Sequence, residues 1–254
     1  MNASIAPPPT VGETMSCSAA LDTSCNASLA VKRGTEILVR ETLTCSGRDS
    51  DRLLVPWLLS SLAAEGLALA DIDAWTVGIG PGSYSGIRAG ISLVRGIARG
   101  TNAHCRGVPS SRALARQVRS EFAEGARLAV LHDGRRKQLI VSLYQVQRKV
   151  LRSTGPPKLM SQEEVCERAS QWQAVITPHE RELSDILETL RNRTRIFTTE
   201  HVDAAELLPA GGAGPSEPTA ADAGLTPIYV RPAVFTNPGN LRTPQPADKS
   251  KPLS

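Results

Sequence analysis

Apolar positions keep a strand-like period over the first part of the chain and change to a helical period after residue 50. Ala19-Ala20-Leu21-Asp22 reads as a buried strand. Ala27, Leu29 and Val31 then alternate with Ser28, Ala30 and Lys32. Arg33-Gly34-Thr35 supplies a turn, and Glu36 to Leu43 returns as a third strand. The three form an antiparallel meander. Leu54, Trp57, Leu58 and Leu62 mark the apolar stripe of a following helix, with Ser50 or Asp51 as its cap and Pro56 tolerated in a first turn. Ala74 to Gly78 is a strand again. A glycine-rich loop leads from it into a second helix that runs to about Arg99.

The second half is patterned less clearly. Ser110 to Phe122 reads as a helix, Leu128 to Leu131 as a strand, and Leu139 to Val146 as its hairpin partner. Ser161-Gln-Glu-Glu164 is a capping box opening a helix to about Ala169. Val175-Ile-Thr is a short strand and Glu182 to Leu190 another helix. The order β-β-β-α-β-α of the first half is that of the ribonuclease-H-like unit, from which the actin-like ATPase fold is built. The second half copies it in element order only. The predicted class is therefore α/β, with two such lobes, the second degraded.

Residues 210–224 are dominated by Gly, Ala, Pro and Ser, and residues 236–254 are Pro-rich and charged. Neither stretch carries enough apolar surface to offset its ordering entropy. The apolar island Pro227-Ile-Tyr-Val-Arg-Pro232 between them predicts a segment that docks back on the fold. The expected organisation is a disordered leader (1–15), a first lobe (16–108), a second lobe (109–209), a linker (210–224), a docking segment (225–235) and a disordered tail (236–254).

Composition narrows the class without naming a chemistry. The 254 residues suffice to bury a core, and 4% aromatic content makes that core aliphatic. A net charge of +4 falls short of a clustered basic footprint for direct nucleic-acid binding. Five widely spaced cysteines without a CxxC pair fit reduced thiols in a cytosolic protein. The N-terminal residues have no basic start and no apolar run, so a signal peptide is not expected. With no apolar stretch near ~20 residues, a soluble, cytoplasmic protein with no membrane contact is predicted.

The loop Gly78-Ile-Gly80-Pro-Gly82-Ser-Tyr-Ser-Gly86-Ile-Arg88 follows a strand and opens a helix, a placement that suits an anion. It lacks the Lys-Ser/Thr of a P-loop and the register of the dinucleotide fingerprint. Tyr84 rather than serine at its centre excludes a nucleophile elbow. Glycines serving only a tight turn remain the alternative. In the next helix Ile87, Ile91, Val94 and Ile97 share one face, and Arg88, Ser92, Arg95 and Arg99 another. Gly86, Gly90 and Gly96 each cost ~1 kcal/mol relative to alanine inside a helix. Close backbone approach would account for them, against a partner subunit or against the chain's own sheet; periodicity leaves both open. Asp22-Thr-Ser24 ends the first strand with a carboxylate and two hydroxyls, as a ligand set or as a turn. His104, His132, His179 and His201 are isolated in sequence, with no spacing that puts two on one helix face.

Three segments together resemble the TsaB (YeaZ-type) family: Leu21-Asp-Thr-Ser24 with the strand after it, Val77 to Arg88 running into Gly90-Ile91, and Pro227-Ile-Tyr-Val-Arg231. The second is similar to the family's Gly-Pro-Gly-Ser-Phe-Thr-Gly-Leu-Arg signature, with changes at Tyr84, Ser85 and Ile87. The resemblance implies a two-lobed, non-catalytic paralogue of the TsaD subunit that has lost its metal-binding histidines. It implies a scaffold that pairs with a TsaD-type subunit through first-lobe helices and is joined by a TsaE-type ATPase. The complex would modify the tRNA adenosine beside the anticodon. On that basis Ile87, Gly90, Ile91, Val94 and Arg95 are the expected interface. Asp22, Thr23, Gly80, Gly82 and Ser83 are the candidate nucleotide contacts. No catalytic residue, metal or cofactor of its own is expected. ATP or ADP at a complex interface and a homodimer of the free chain stay open, as does the alternative of an actin-like phosphotransferase with its own nucleotide turnover.

Overall fold

The computed structural model describes residues 16–44, 50–148, 150–209 and 224–230. The expectations for the leader, most of the linker, the end of the docking segment and the tail lie outside them. Two sheets dominate. In the first, β1 (Cys17–Asp22), β2 (Ser28–Arg33) and β3 (Glu36–Thr42) form the antiparallel meander, and β4 (Ala74–Gly78) and β5 (His104–Val108) add in parallel, giving the order β3-β2-β1-β4-β5. In the second, β6 (Arg127–Asp133), β7 (Gln138–Gln147) and β8 (Val150–Ser153) are the meander, and β10 (Ala174–Thr177) and β11 (Arg195–Thr198) the parallel additions. The order β11-β10-β6-β7-β8 is the same path, with β9 (Lys158–Ser161) added beside β7. This is the two-lobed, ribonuclease-H-like architecture of the actin-like ATPase fold. The second lobe keeps the strand order and is reduced in its helices: α4 (Gln162–Arg168) and α5 (Ser184–Arg191) have 7 and 8 residues against 15 and 18 in α1 (Ser50–Ala64) and α2 (Tyr84–Thr101).

Strand alternation distributes the side chains into three cores. Ala19, Leu21, Leu29, Val31, Trp75 and Val77 point outward, where Leu54, Leu58 and Leu62 of α1 and Ile87, Ile91, Val94 and Ile97 of α2 cover them. Ala20 and Ala30 point inward and meet Leu128, Val130, Tyr144 and Ile176 of the second sheet. Ala113 and Leu114 of α3 (Ser110–Gln117) and Leu207 fill the space between. Ala129, Leu131, Val141 and Val175 face the other way onto α4 and α5. Ser28 Oγ donates to the Val202 carbonyl, and Arg40 pairs with Asp203. The end of the range assigned to the second lobe therefore returns to the first sheet.

Several local expectations are corrected. Pro56 lies inside α1 rather than in its first turn, and Ser60 Oγ donates to its carbonyl (2.6 Å). The helix from Ser110 stops at Gln117 and continues as a 3-10 turn at Arg119–Glu121. Strands β5, β8, β9 and β11 carry too short or too polar a pattern to be read. The capping box is present as expected: Ser161 Oγ accepts from Glu164 N (3.2 Å) and Glu164 Oε2 from Ser161 N (2.8 Å). Ser161→Ala should cost ~1 kcal/mol, and an unchanged midpoint in urea denaturation would refute that.

The interface expectation is corrected at four positions. Ile87, Gly90, Ile91 and Val94 are buried within the chain's own first lobe. A Cβ at Gly90 would stand 2.3 Å from Thr23 Oγ1, so this glycine admits the β1–β2 turn rather than a partner. Arg95 alone of the five is exposed.

Candidate functional site

Asp22 ends β1 fully buried at 0% exposure, beneath the loop that follows β4. Its Oδ1 accepts from Ser24 N (2.8 Å) and Ser24 Oγ (2.6 Å), and its Oδ2 from Ser110 Oγ (2.6 Å). Ser110 also joins the loop: its Oγ accepts from Gly80 N (3.1 Å), and its own N donates to the Gly80 carbonyl (2.8 Å). Gly80 has φ +95°, a conformation that glycine adopts without steric cost. Thr23 Oγ1 donates to the Gly86 carbonyl (2.7 Å), and Ser83 N to the Ser24 carbonyl (2.7 Å). Ser83 Oγ caps α2 by accepting from Gly86 N (3.3 Å).

The expected nucleotide set is thus gathered in one place, with its polar groups turned on one another. Burial raises the Asp22 carboxyl above the usual carboxylate range, while the bonds from Ser110 and Ser24 oppose the rise. A Cβ at Gly82 would lie 2.4 Å from the Ser24 carbonyl oxygen, so turn and loop close on each other. Ser110 was the residue that sequence reasoning missed. Its only local signal is its position just after Pro109 at a helix start.

Beside this cluster a cleft of about 770 Å³ runs between the lobes, lined by Cys25, Asn26, His179, Glu182, Thr199 and Glu200 among others. Burial, with the nearby Asp22 and Glu182 carboxylates, pushes the Cys25 thiol up to about 12, which keeps it protonated and a poor nucleophile. His132 and His179, isolated in sequence, come together with ring centroids 5.6 Å apart. Burial and the neighbouring imidazole lower His132 to about 3, and neither of its ring nitrogens has a hydrogen-bond partner. Asp133 accepts from Arg135 N (2.8 Å) and serves its own turn. Among the described residues no three His, Cys, Asp or Glu side chains are arranged to hold a metal, and no helix is long and apolar enough to cross a membrane.

The family model described as TsaD, tRNA N6-adenosine threonylcarbamoyltransferase, matches residues 44–194, more than half of the chain. The chain belongs to that family and is of the TsaB type. It is 31% identical over 137 residues to the tRNA threonylcarbamoyladenosine biosynthesis protein TsaB of Haemophilus influenzae, covering 53% of this chain and 55% of that one. It thus spans about half the length of the curated relatives it matches. YeaZ from Pseudomonas aeruginosa superimposes with a TM-score of 0.61 at 25% identity, over 76% of this chain and 89% of that one. A second Pseudomonas aeruginosa structure, described as similar to the peptidase YeaZ, gives 0.68 at 24% identity over 85% and 100%, a likeness of fold alone.

Proposed function

We propose that this chain is a non-catalytic, cytoplasmic scaffold that binds and supports a TsaD-type catalytic subunit in N6-threonylcarbamoylation of the tRNA adenosine adjacent to the anticodon. The observation that carries the reading is Asp22. A phosphoryl-transfer site on this fold needs a carboxylate free to meet a cation or its water, and here Ser24 and Ser110 take three of the bonds it can accept. The name of the Haemophilus relative supports the pathway. A TsaE-type ATPase and tRNA would join through the assembly, and any ATP or ADP would sit at a complex interface.

With the apolar face of α2 spent inside the lobe, the apolar part of the partner surface is supplied by α1. Leu53, Val55 and Leu59 are exposed there by 44%, 43% and 45%, while Leu54, Leu58 and Leu62 of the same helix are buried. Leu59→Glu should weaken pairing with the cognate TsaD-type subunit tenfold or more, measured by titration calorimetry, with an unchanged melting temperature. The purified chain should restore threonylcarbamoyl transfer only when mixed with that subunit. ATP turnover by the chain alone, abolished in Asp22→Asn, would instead establish the phosphotransferase reading.

A further inference from the structure

The segment 225–230 returns to the first lobe and completes a surface that α2 begins. Ile228 N donates to the Ile79 carbonyl (2.8 Å), and Leu225 and Ile228 pack against the outer core. This seats Tyr229 beside Tyr84 with ring centroids 5.0 Å apart. Arg88 lies over Tyr84 with its guanidinium carbon 5.3 Å from the ring centroid, and its Nη1 donates to the Tyr84 hydroxyl (2.6 Å). Both tyrosines are exposed, Tyr84 by 58% and Tyr229 by 47%. Arg95 and Arg99 continue the stripe seven and eleven residues on, so the arginines share one helical face. From Tyr84 to Arg99 the stripe is about 22 Å long at the helical rise per residue. No Asp or Glu occurs in α2. Among the described residues none of the three arginines has a carboxylate partner.

We propose that Tyr84, Arg88 and Tyr229 form a composite docking hot spot for an acidic segment of the partner protein, with Arg95 and Arg99 extending it along α2. The proposal rests on the scaffold reading and names the partner's chemistry. Tyrosine and arginine are the residue types in which interface energy concentrates, and a guanidinium presents paired N–H donors that match a carboxylate. Charge complementarity selects the occupant: the surface offers N–H donors and positive charge, and among the described residues no carboxylate of its own pairs with them. The docked segment is thereby part of the binding surface, because it alone supplies Tyr229.

The test measures binding of the full chain to its cognate TsaD-type subunit at low and at high salt. Arg88→Glu should weaken binding tenfold or more and flatten its salt dependence, and Tyr229→Ala should weaken it about fivefold. Arg95→Glu, exposed and outside the tyrosine contact, should act in the same direction. Arg152→Glu, exposed on β8 in the second lobe, should leave it unchanged. Wild-type affinity in both Arg88→Glu and Tyr229→Ala would overturn the proposal. So would an Arg88→Glu variant that keeps its partner and loses tRNA binding, which would make the stripe an RNA contact. If the wild-type chain fails to bind the subunit at all, the scaffold reading itself falls, an outcome distinct from either of these.

Discussion

Gly78→Ala is expected to destabilise the protein by about 4 kcal/mol, whereas Gly96→Ala, the same change one helix later, should stabilise it by roughly 0.5–1 kcal/mol. A Cβ on Gly78 would stand 1.8 Å from Asp22 Oδ2 and 2.7 Å from Ser110 Oγ. Neither atom can move away freely. Asp22 is fixed by three hydrogen bonds and Ser110 by two to Gly80. Relieving the clash means overpacking a dense region, which costs ~1–3 kcal/mol, and loosening bonds to a buried carboxyl, which adds ~1.5–3 kcal/mol for each one lost. At Gly96 a Cβ meets nothing within 4 Å, so only the helix preference remains. Urea denaturation of both variants against wild type reads the two signs directly. A loss under ~1 kcal/mol at Gly78 would mean that turn and loop are far looser than their contacts imply.

The contrast shows which parts of the site were legible in the sequence. Gly78, Gly80 and Asp22 are conspicuous in the chain, and the expectation that another backbone comes close to the α2 glycines holds at Gly86, against the Thr23 carbonyl, whereas at Gly90 it is the Thr23 side chain that comes close. The approaching group was not legible. Thr23 and Ser24 reach the loop only because β1 and β4 are parallel neighbours, with Leu21 opposite Val77. Ser110 reaches Asp22 across 88 residues. Periodicity reports that a helix has an apolar face and is silent on whether that face meets the chain's own sheet or another subunit. In α2 it meets the sheet, so four expected interface positions moved into the core while Arg95 stayed outside.

The same limit applies to the second lobe. The meander β6–β7 was readable because Leu128 to Leu131 and Leu139 to Val146 are strongly apolar. β11 was not, because Arg195-Ile-Phe-Thr198 is a four-residue edge strand with one neighbour, and its Arg195 lies over Phe122 and Phe197 rather than in a core. Complete strand order with shortened helices is the form that the predicted degradation takes.

The histidine pair gives the second large expectation. Between pH 7.5 and pH 5.0 the protein should lose about 2 kcal/mol of stability through His132 alone. Burial holds the folded imidazole at about 3 against an ordinary 6.5. Below pH 6.5 the unfolded chain therefore binds a proton that the folded chain refuses, and stability falls as pH drops towards 3. Above pH 6.5 both states are neutral and the contribution is flat. His179, lowered by burial, adds in the same direction. The raised Asp22 carboxyl acts in the opposite direction, because the folded state takes up its proton first as pH falls. The clean reading is accordingly the difference between wild type and His132→Leu, in which the Asp22 contribution cancels. Leucine fills a comparable volume and removes two ring nitrogens that have no partner, so any packing cost is constant with pH. Urea midpoints of the two proteins should converge or cross as pH falls from 7.5 to 5.0, with the variant gaining. Parallel profiles over that range would show that protonated His132 finds a partner inside the folded chain, and that the cleft beside His179 opens more readily than its packing indicates.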